Sequence, residues 1–143
     1  MGLTLEESIY KHLAATAGVT GLVSTRIYPV IAPQGESLPY IVYQKIVEIP
    51  VHAMSADPEI RNRRYQFTIL AETYSSVSAI SIQVKSALQD YQTSISGLLG
   101  DGTSGASVQR IFFEAETDLH DLEPKTMDNI FVRAQEYEFW AST

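Results

Sequence analysis

Six consecutive residues have the glycine spacing of a dinucleotide-binding loop. The segment from Gly100 to Gly105 reads G-D-G-T-S-G and matches the pattern G-x-G-x-x-G. That pattern binds a pyrophosphate only where a strand precedes it and a helix follows directly, because the phosphate lies at the helix N-terminus. Here the neighbouring patterns predict a helix before the segment and a strand after it. We therefore interpret the segment as a connector and expect no nucleotide cofactor.

The histidines are the next candidates for chemistry. The chain contains His12, His52 and His120 and has no cysteine. His120 lies between Asp118 and Asp121, a grouping that would suit a weak metal site or a small hydrolase. Zinc sites normally need a second histidine or cysteine at a defined spacing, and none is near. The sequence also has neither a G-x-S-x-G nucleophile elbow nor an H-E-x-x-H motif. We therefore expect no metal, no catalytic residue and no enzymatic activity.

Three arginines lie close together at the start of a predicted strand. Arg61, Arg63 and Arg64 are separated by a single asparagine. They are typical of a solvated strand end, but they would also form a basic patch for an acidic surface on a neighbouring subunit.

Four glutamates alternate with apolar residues on the last two predicted strands. Glu114 and Glu116 lie on one of these strands, and Glu136 and Glu138 flank Tyr137 on the other. Successive strand residues point to opposite faces, so pairing of the apolar faces would place all four glutamates on the other face. Like charges opposite one another are destabilising, and we expect such a face to be solvated or to face a partner or channel. A β-bulge would break this alternation.

The elements that position these residues predict an α+β fold. Thr4 and Glu7 form a capping box that begins a first helix, and Gly18 is its expected stop. A second helix is predicted over residues 74–92. Strands are predicted over residues 40–49, 64–71, 108–117 and 129–141. The order α-β-β-α-β-β predicts a single antiparallel sheet of about four strands, with two helices packed on one face.

The two predicted hairpins have long connections. Residues 50–62 join the first pair of strands, and residues 118–128 join the second. Hairpin loops are usually about 2–5 residues long, and longer ones are often functional or disordered. Without a catalytic site, docking onto a neighbouring protein is the expected role, with His52, Asp118, His120 and Asp121 as contact candidates.

The composition indicates one domain, residues 1–143, without affinity for membranes or nucleic acid. The chain is 45% hydrophobic and 19% charged, which suits a single packed core. Its formal charge of −7 provides no basic surface for phosphates. No apolar run approaches the ~20 residues of a membrane span, and residues 1–6 do not have the pattern of a signal peptide.

Three blocks of residues carry a resemblance to a known family. They read R-I-Y-P at 26–29, A-P-Q-G at 32–35 and L-P-Y-I-V-Y-Q at 38–44. In this order and spacing the chain resembles the tail completion, or tail terminator, proteins of long-tailed bacteriophages and prophages. The resemblance continues through residues 65–69, the following helix and residues 137–140, and it covers nearly the whole chain.

The resemblance implies a structural protein of the head–tail junction. Such subunits would close into a six-fold ring that caps the tail tube and joins it to the head connector or head completion protein. DNA would cross the lumen without specific binding, past an acidic lining for which the four glutamates are candidates. The protein is then expected in the virion after assembly in the bacterial cytoplasm. The alternative is a cytoplasmic protein-binding or regulatory module that retains the fold.

Overall fold

The computed structural model describes residues 5–24, 26–33, 37–50, 61–88, 99–100, 105–106, 108–122 and 129–141. Three helices lie in these ranges: α1 (Leu5–Ala14), α2 (Ala17–Val23) and α3 (Tyr74–Leu88). The strands are β1 (Ile27–Pro29), β2 (Tyr40–Pro50), β3 (Arg61–Ala71), β4 (Leu99–Gly100), β5 (Gly105–Ala106), β6 (Val108–Leu122) and β7 (Asn129–Ala141). None of the described helices is long and apolar enough to cross a membrane.

Five of the strands form one mixed sheet in the order β1-β2-β3-β7-β6. The pairs among the four long strands are all antiparallel, as the sequence predicts. β1 is parallel to β2, with Ile27 opposite Ile41, so the prediction of a purely antiparallel four-stranded sheet is wrong in this detail. A three-residue strand is too short to show an alternating pattern, which explains why the sequence did not reveal it.

The N-terminal helical stretch is divided into two helices, so the chain has a third helix that the sequence did not predict. The division occurs at Thr16, which has an extended backbone with φ −89° and ψ 108°. Its Oγ1 donates to the carbonyl of His12 at 2.8 Å. Gly18 is not the helix stop that we expected, because it lies inside α2 and close to Gln83 of α3. The second helix adds Val19 and Val23 to the core.

The core lies between the helices and one face of the sheet, which we call the covered face. Tyr65 and Phe67 of β3 point into it with Tyr137 and Phe139 of β7, and all four are fully buried. Their rings make edge-on contacts, with centroids 5.2 Å apart for Tyr65 and Phe139. The helices add apolar side chains to this layer: Ile9, Leu13, Val19, Val23, Ile80, Val84 and Leu88.

The opposite, uncovered face carries the alternate residues of the same strands. On β3 these are Arg64, Gln66 and Thr68, which all retain solvent exposure. Alternation along β7 places Glu136 and Glu138 on this face too. The helices pack on one face of the sheet, as the sequence predicts.

In both hairpins the paired strands extend further than expected, so fewer residues lie between them. β3 begins at Arg61 opposite Pro50, and β6 continues to Leu122 opposite Asn129. Residues 61–62 and 118–122 are therefore strand, although we expected loop there. These two terminal pairs lie at opposite ends of the sheet, because Arg61 pairs with Ala141 whereas Ala71 pairs with Phe131. His52 lies outside the described residues.

Candidate interaction surface

The four glutamates do not share a face, because β6 contains a bulge. Phe113 pairs with Tyr137, but Ala115 pairs with Glu136, so Glu114 is an extra residue with no partner in the register. The extra residue reverses the alternation of side chains beyond it. Glu116 therefore lies opposite Gln135 on the covered face, and the prediction of a four-glutamate face is wrong for it.

Glu116 belongs to a polar cluster centred on Arg133, which is only 8% exposed. We call it the Arg133 cluster. The Arg133 guanidinium donates from Nε to Asp118 Oδ1 at 2.6 Å and from Nη1 to Ser81 Oγ at 2.9 Å. Its Nη2 donates to the Tyr74 hydroxyl at 2.8 Å, and Nη1 lies 3.7 Å from Glu116 Oε1. The cluster thus joins α3 to the β6–β7 hairpin.

Further hydrogen bonds complete the Arg133 cluster. The buried amide of Gln135 donates to the Ser81 carbonyl at 3.2 Å and to Glu116 Oε2 at 2.9 Å, and it accepts from the Tyr137 hydroxyl at 3.0 Å. Hydrogen bonds from Arg133 and Tyr74 hold the pKa of Asp118 below its usual range. Because these charges and donors are mutually satisfied, the arrangement is that of a structural tie between helix and sheet.

The histidine–carboxylate grouping around residue 120 lies in a strand and not in a loop. Asp118, His120 and Asp121 belong to β6, where they pair with Arg133, Phe131 and Ile130. The side chains of His120 and Asp121 lie outside the described residues, and Asp118 is bound by Arg133. Within the described part of the chain, no group of three histidines or carboxylates could hold a metal ion. His12 lies elsewhere, with Nε2 2.8 Å from the Ala87 carbonyl, where it connects α1 to α3.

The glycine segment that matches G-x-G-x-x-G also lacks the context it would need. Gly100 and Gly105 face each other in the short β4–β5 ribbon. The next described element is strand β6, with no helix N-terminus for a phosphate.

The three arginines are divided between the two faces of the sheet. Arg63 lies on the covered face and donates from Nε to Glu48 Oε1 at 3.0 Å. Arg64 lies on the uncovered face, 3.6 Å from Glu138 Oε2, and its side chain is 45% exposed. Arg61 continues the strand, although its side chain lies outside the described residues. The three do not form one patch, and their contact with a neighbouring subunit stays a prediction.

The uncovered face retains two of the four glutamates, and only one of them has an observed polar partner. Glu138 accepts from Trp140 Nε1 at 2.6 Å and lies near Arg64. Glu136 lies beside Gln66 and Ala115 in the register. The acidic character of this face is therefore weaker than the sequence pattern indicated.

Exposed apolar side chains lie along the sheet edge, although the sequence patterns did not indicate them. β1 covers β2 only as far as Tyr43, and beyond it Ile46, Val47 and Ile49 are 44%, 39% and 49% exposed. Directly after β1, Val30 and Ile31 are 67% and 78% exposed. Val30 also has φ of 66°, a left-handed conformation that costs a β-branched residue energy and often marks a functional position. Exposed apolar side chains grouped in this way are typical of an interaction surface.

A groove of about 530 Å³ lies beside this edge, between α1 and β1. Glu6, Tyr10, Ile27, Pro29 and Tyr43 are among its lining residues. Burial raises the pKa of Tyr43 to about 12, so its hydroxyl stays protonated near neutral pH. That hydroxyl donates to the Glu6 carbonyl at 3.1 Å. The groove contains no described nucleophile paired with a general base.

A family model supplies the identity of this scaffold. The model for tail completion protein gp17 matches residues 7–133. The chain belongs to the tail completion protein family. Its members are structural proteins of bacteriophages, so this tail completion protein is one too.

The fold of this tail completion protein also occurs in a solved virion. A chain of the structure titled "Virion of native gene transfer agent (GTA) particle" matches with a TM-score of 0.67 and 13% sequence identity. The match covers 93% of this chain and 91% of the other. The likeness establishes a common fold. A comparison with curated proteins finds no match to the sequence.

The residue blocks that carry the family resemblance hold β1 against β2 in this tail completion protein. Arg26 donates from Nε to the Pro39 carbonyl at 2.8 Å. The rings of Tyr28 and Tyr40 meet edge-on, with centroids 6.5 Å apart. The first and third blocks thus build the sheet edge from which Val30 projects.

Proposed function

We propose that this tail completion protein forms a ring that caps the head-proximal end of the phage tail tube and joins it to the head connector. The observation that carries the proposal is the family match over residues 7–133. The six-fold order of the ring comes from the resemblance and is part of the proposal. The protein would act in the virion, after assembly in the bacterial cytoplasm.

The positions of the two hairpin ends support a subunit that contacts different partners above and below. The Pro50–Arg61 end and the Leu122–Asn129 end lie at opposite ends of the sheet. The predicted contact residues divide between them. Arg61, Arg63 and Arg64 belong to the first end, and Asp118, His120 and Asp121 belong to the second. His52 is a further contact candidate, although it lies outside the described residues. A subunit with two different ends would be able to bind a tube on one side and a connector on the other.

The uncovered face is the candidate lining of the channel. It presents Glu136 and Glu138, with Arg64 at 3.6 Å from Glu138, and the register pairs Arg110 of β6 with Trp140 on the same face. Glu116 is removed from the set of lining candidates by the bulge, and Glu114 stays as an exposed residue at the sheet edge. A face on which carboxylates balance the arginines would hold DNA weakly, since affinity for phosphate depends on unbalanced Lys and Arg contacts.

The geometry favours a protein that works by contact and without catalysis. The buried polar groups of the Arg133 cluster are satisfied by one another. The large exposed features are apolar edges, which bind other surfaces.

A tube-growth assay tests the proposal. Purified tail tube protein is allowed to polymerise with and without this protein, and tube lengths and ends are measured by electron microscopy. The proposal expects growth to stop and a ring to appear at one end of each tube. The same protein, heat-unfolded, is the control. Tubes that grow to the same length with bare ends would contradict the proposal.

A further inference from the structure

Among the described residues, no strand pairs with β2 beyond Tyr43 on one side of the sheet or with the outer side of β6 on the other. At the β2 edge, Ile41 donates its N–H to the Arg26 carbonyl and the Tyr43 carbonyl accepts from Val30 N–H, at 3.0 and 2.8 Å. The alternation of strand hydrogen bonds turns the N–H and C=O of Lys45 to this same edge, beyond the end of β1. At the other side of the sheet, β6 is the outermost described strand along all of its 15 residues.

The direction of the strands makes these two edges compatible. Each step from β2 to β3, β7 and β6 is antiparallel, so β6 runs opposite to β2. If a second copy stands beside the first in the same orientation, its β2 lies antiparallel to β6 of the first. Such a head-to-tail contact uses different surfaces on the two copies and generates a closed ring when the rotation permits.

Exposed apolar side chains lie at the same height on the two edges. The register leads from Val47 through Arg64 and Glu138 to Phe112. Val47 and Phe112 therefore lie level with each other on the uncovered face, 39% and 38% exposed. Side by side across a subunit boundary, they would bury the apolar surface that each subunit leaves in water.

Residues of opposite charge, Lys45 and Glu114, also lie at nearly the same level on the two edges. The register leads from Lys45 to Phe113, and the bulged Glu114 follows Phe113 directly. Glu114 is exposed and has no ion pair among the described residues. The Lys45 side chain is 40% exposed and has surface pairs with Glu48 at 3.0 Å and Glu6 at 3.9 Å. Exposed pairs of this kind are weak, so Lys45 can reach a neighbour's carboxylate.

From these observations we infer that the partner of each sheet edge is a second copy of this chain. The β2 edge of one subunit, Lys45–Ile49, lies against the β6 edge of the next, around Phe112 and Glu114. This inference rests on the proposed ring and names the surfaces that would close it. The strands of neighbouring subunits would then form one continuous sheet around the channel, with an antiparallel pair of β2 and β6 at each boundary.

Disulfide trapping tests this arrangement, since the chain has no cysteine of its own. The double variant Val47→Cys/Phe112→Cys is incubated with tail tubes, oxidised mildly and run on a non-reducing gel. Strands of a closed sheet are staggered, so Ile49→Cys/Phe112→Cys covers a two-residue shift. The matched control is Val47→Cys/Leu119→Cys, because Leu119 is an exposed β6 residue at the other end of the strand. The single variants Val47→Cys and Phe112→Cys complete the set.

The inference expects a ladder of covalent oligomers from one of the two Phe112 pairs, and monomers from the Leu119 pair and the single variants. Rings visible by microscopy without such a ladder would overturn the edge contact and leave the proposed ring standing. Dimers from Val47→Cys alone would indicate a two-fold contact and overturn it as well. Absence of any ring would remove the proposed function and this inference together.

Charge reversal provides a second test that needs no oxidation. Lys45→Glu and Glu114→Lys should each lower the fraction of capped tubes several-fold, and the double variant should restore it. Circular dichroism melts check that all three variants fold. Equal loss in the double variant and the single variants would contradict the predicted pairing of these charges.

Discussion

The Arg133 cluster and the open sheet edges differ in how their polar and apolar groups are satisfied. In the cluster, the donors of Arg133 are used by Asp118, Ser81 and Tyr74 within the chain. At the edges, Ile31 and Val47 leave apolar surface in water, and Lys45 pairs with β3 on one side but lies beyond the end of β1 on the other. The difference teaches that charged residues such as Arg133 and Glu116 tie the elements of the subunit together. The surface that we propose for partners is mainly apolar and lies along the strand edges.

The largest expected effect tests the covered face. Phe67→Ala removes a fully buried ring that contacts Tyr137 and Phe139, and it should lower the free energy of unfolding by about 4 kcal/mol. The neighbouring Thr68→Ala on the uncovered face should cost less than about 1 kcal/mol. Urea unfolding followed by the fluorescence of Trp140, the single tryptophan, measures both. Equal losses of unfolding free energy in the two variants would contradict the assignment of the core to the covered face.

The second prediction concerns the Arg133 cluster. Arg133→Ala removes the donors to Ser81 Oγ, the Tyr74 hydroxyl and Asp118. It thereby removes the tie from α3 to β7, and it should cost about 2–3 kcal/mol. Arg64→Ala is the matched control, since its exposed pair with Glu138 is worth about 0.5 kcal/mol. If the two arginines cost the same in urea unfolding, the cluster is not the structural tie described above.

A pH series examines the same cluster through Asp118. Its folded-state pKa is lowered by Arg133 and Tyr74, so its contribution to stability is complete above the unfolded value of about 3.9. That contribution is lost as the pH falls through the folded pKa. Asp118→Asn should therefore flatten the loss of stability below about pH 4, and Tyr74→Phe should flatten it less. Urea midpoints from pH 7 to pH 2.5 give the comparison, and an unchanged acid slope in Asp118→Asn would contradict it.

The smallest expected effect on stability is at the edges. Val47→Lys and Phe112→Lys lie on exposed positions and should change the free energy of unfolding by no more than about 0.5 kcal/mol. Both should nevertheless abolish capping of tail tubes in the growth assay. Leu119→Lys is the control that should keep capping, because Leu119 lies at the far end of β6. Capping by Val47→Lys at the wild-type level would show that the β2 edge is not an interface.

The long regular elements were predictable from the sequence. Strand β7 occupies the predicted residues 129–141, and β2 and α3 begin at the predicted residues 40 and 74. These segments have strong alternation or helical spacing, because one side of each is buried in the core. The family resemblance was also readable, since its blocks are local and contain several prolines and tyrosines.

The remaining features depend on single residues or on neighbours that local patterns do not contain. The bulge at Glu114 inserts one residue and reverses the side chains of everything after it, including Glu116 and Asp118. The helical spacing of apolar residues continues through Ala17 in the sequence, yet the helix is divided at Thr16. The open edges follow from the strand order, which places β2 and β6 apart although each has an antiparallel neighbour. The sequence of a strand does not reveal whether both of its edges will pair with other strands.

Cryo-electron microscopy of the wild-type protein bound to tail-tube ends tests the central claim most directly. We predict a closed ring of six copies on one end of the tube, with β6 of each copy beside β2 of the next and the helices away from the channel. Single subunits bound around the tube without mutual contact, or a ring joined through its helices, would contradict this account.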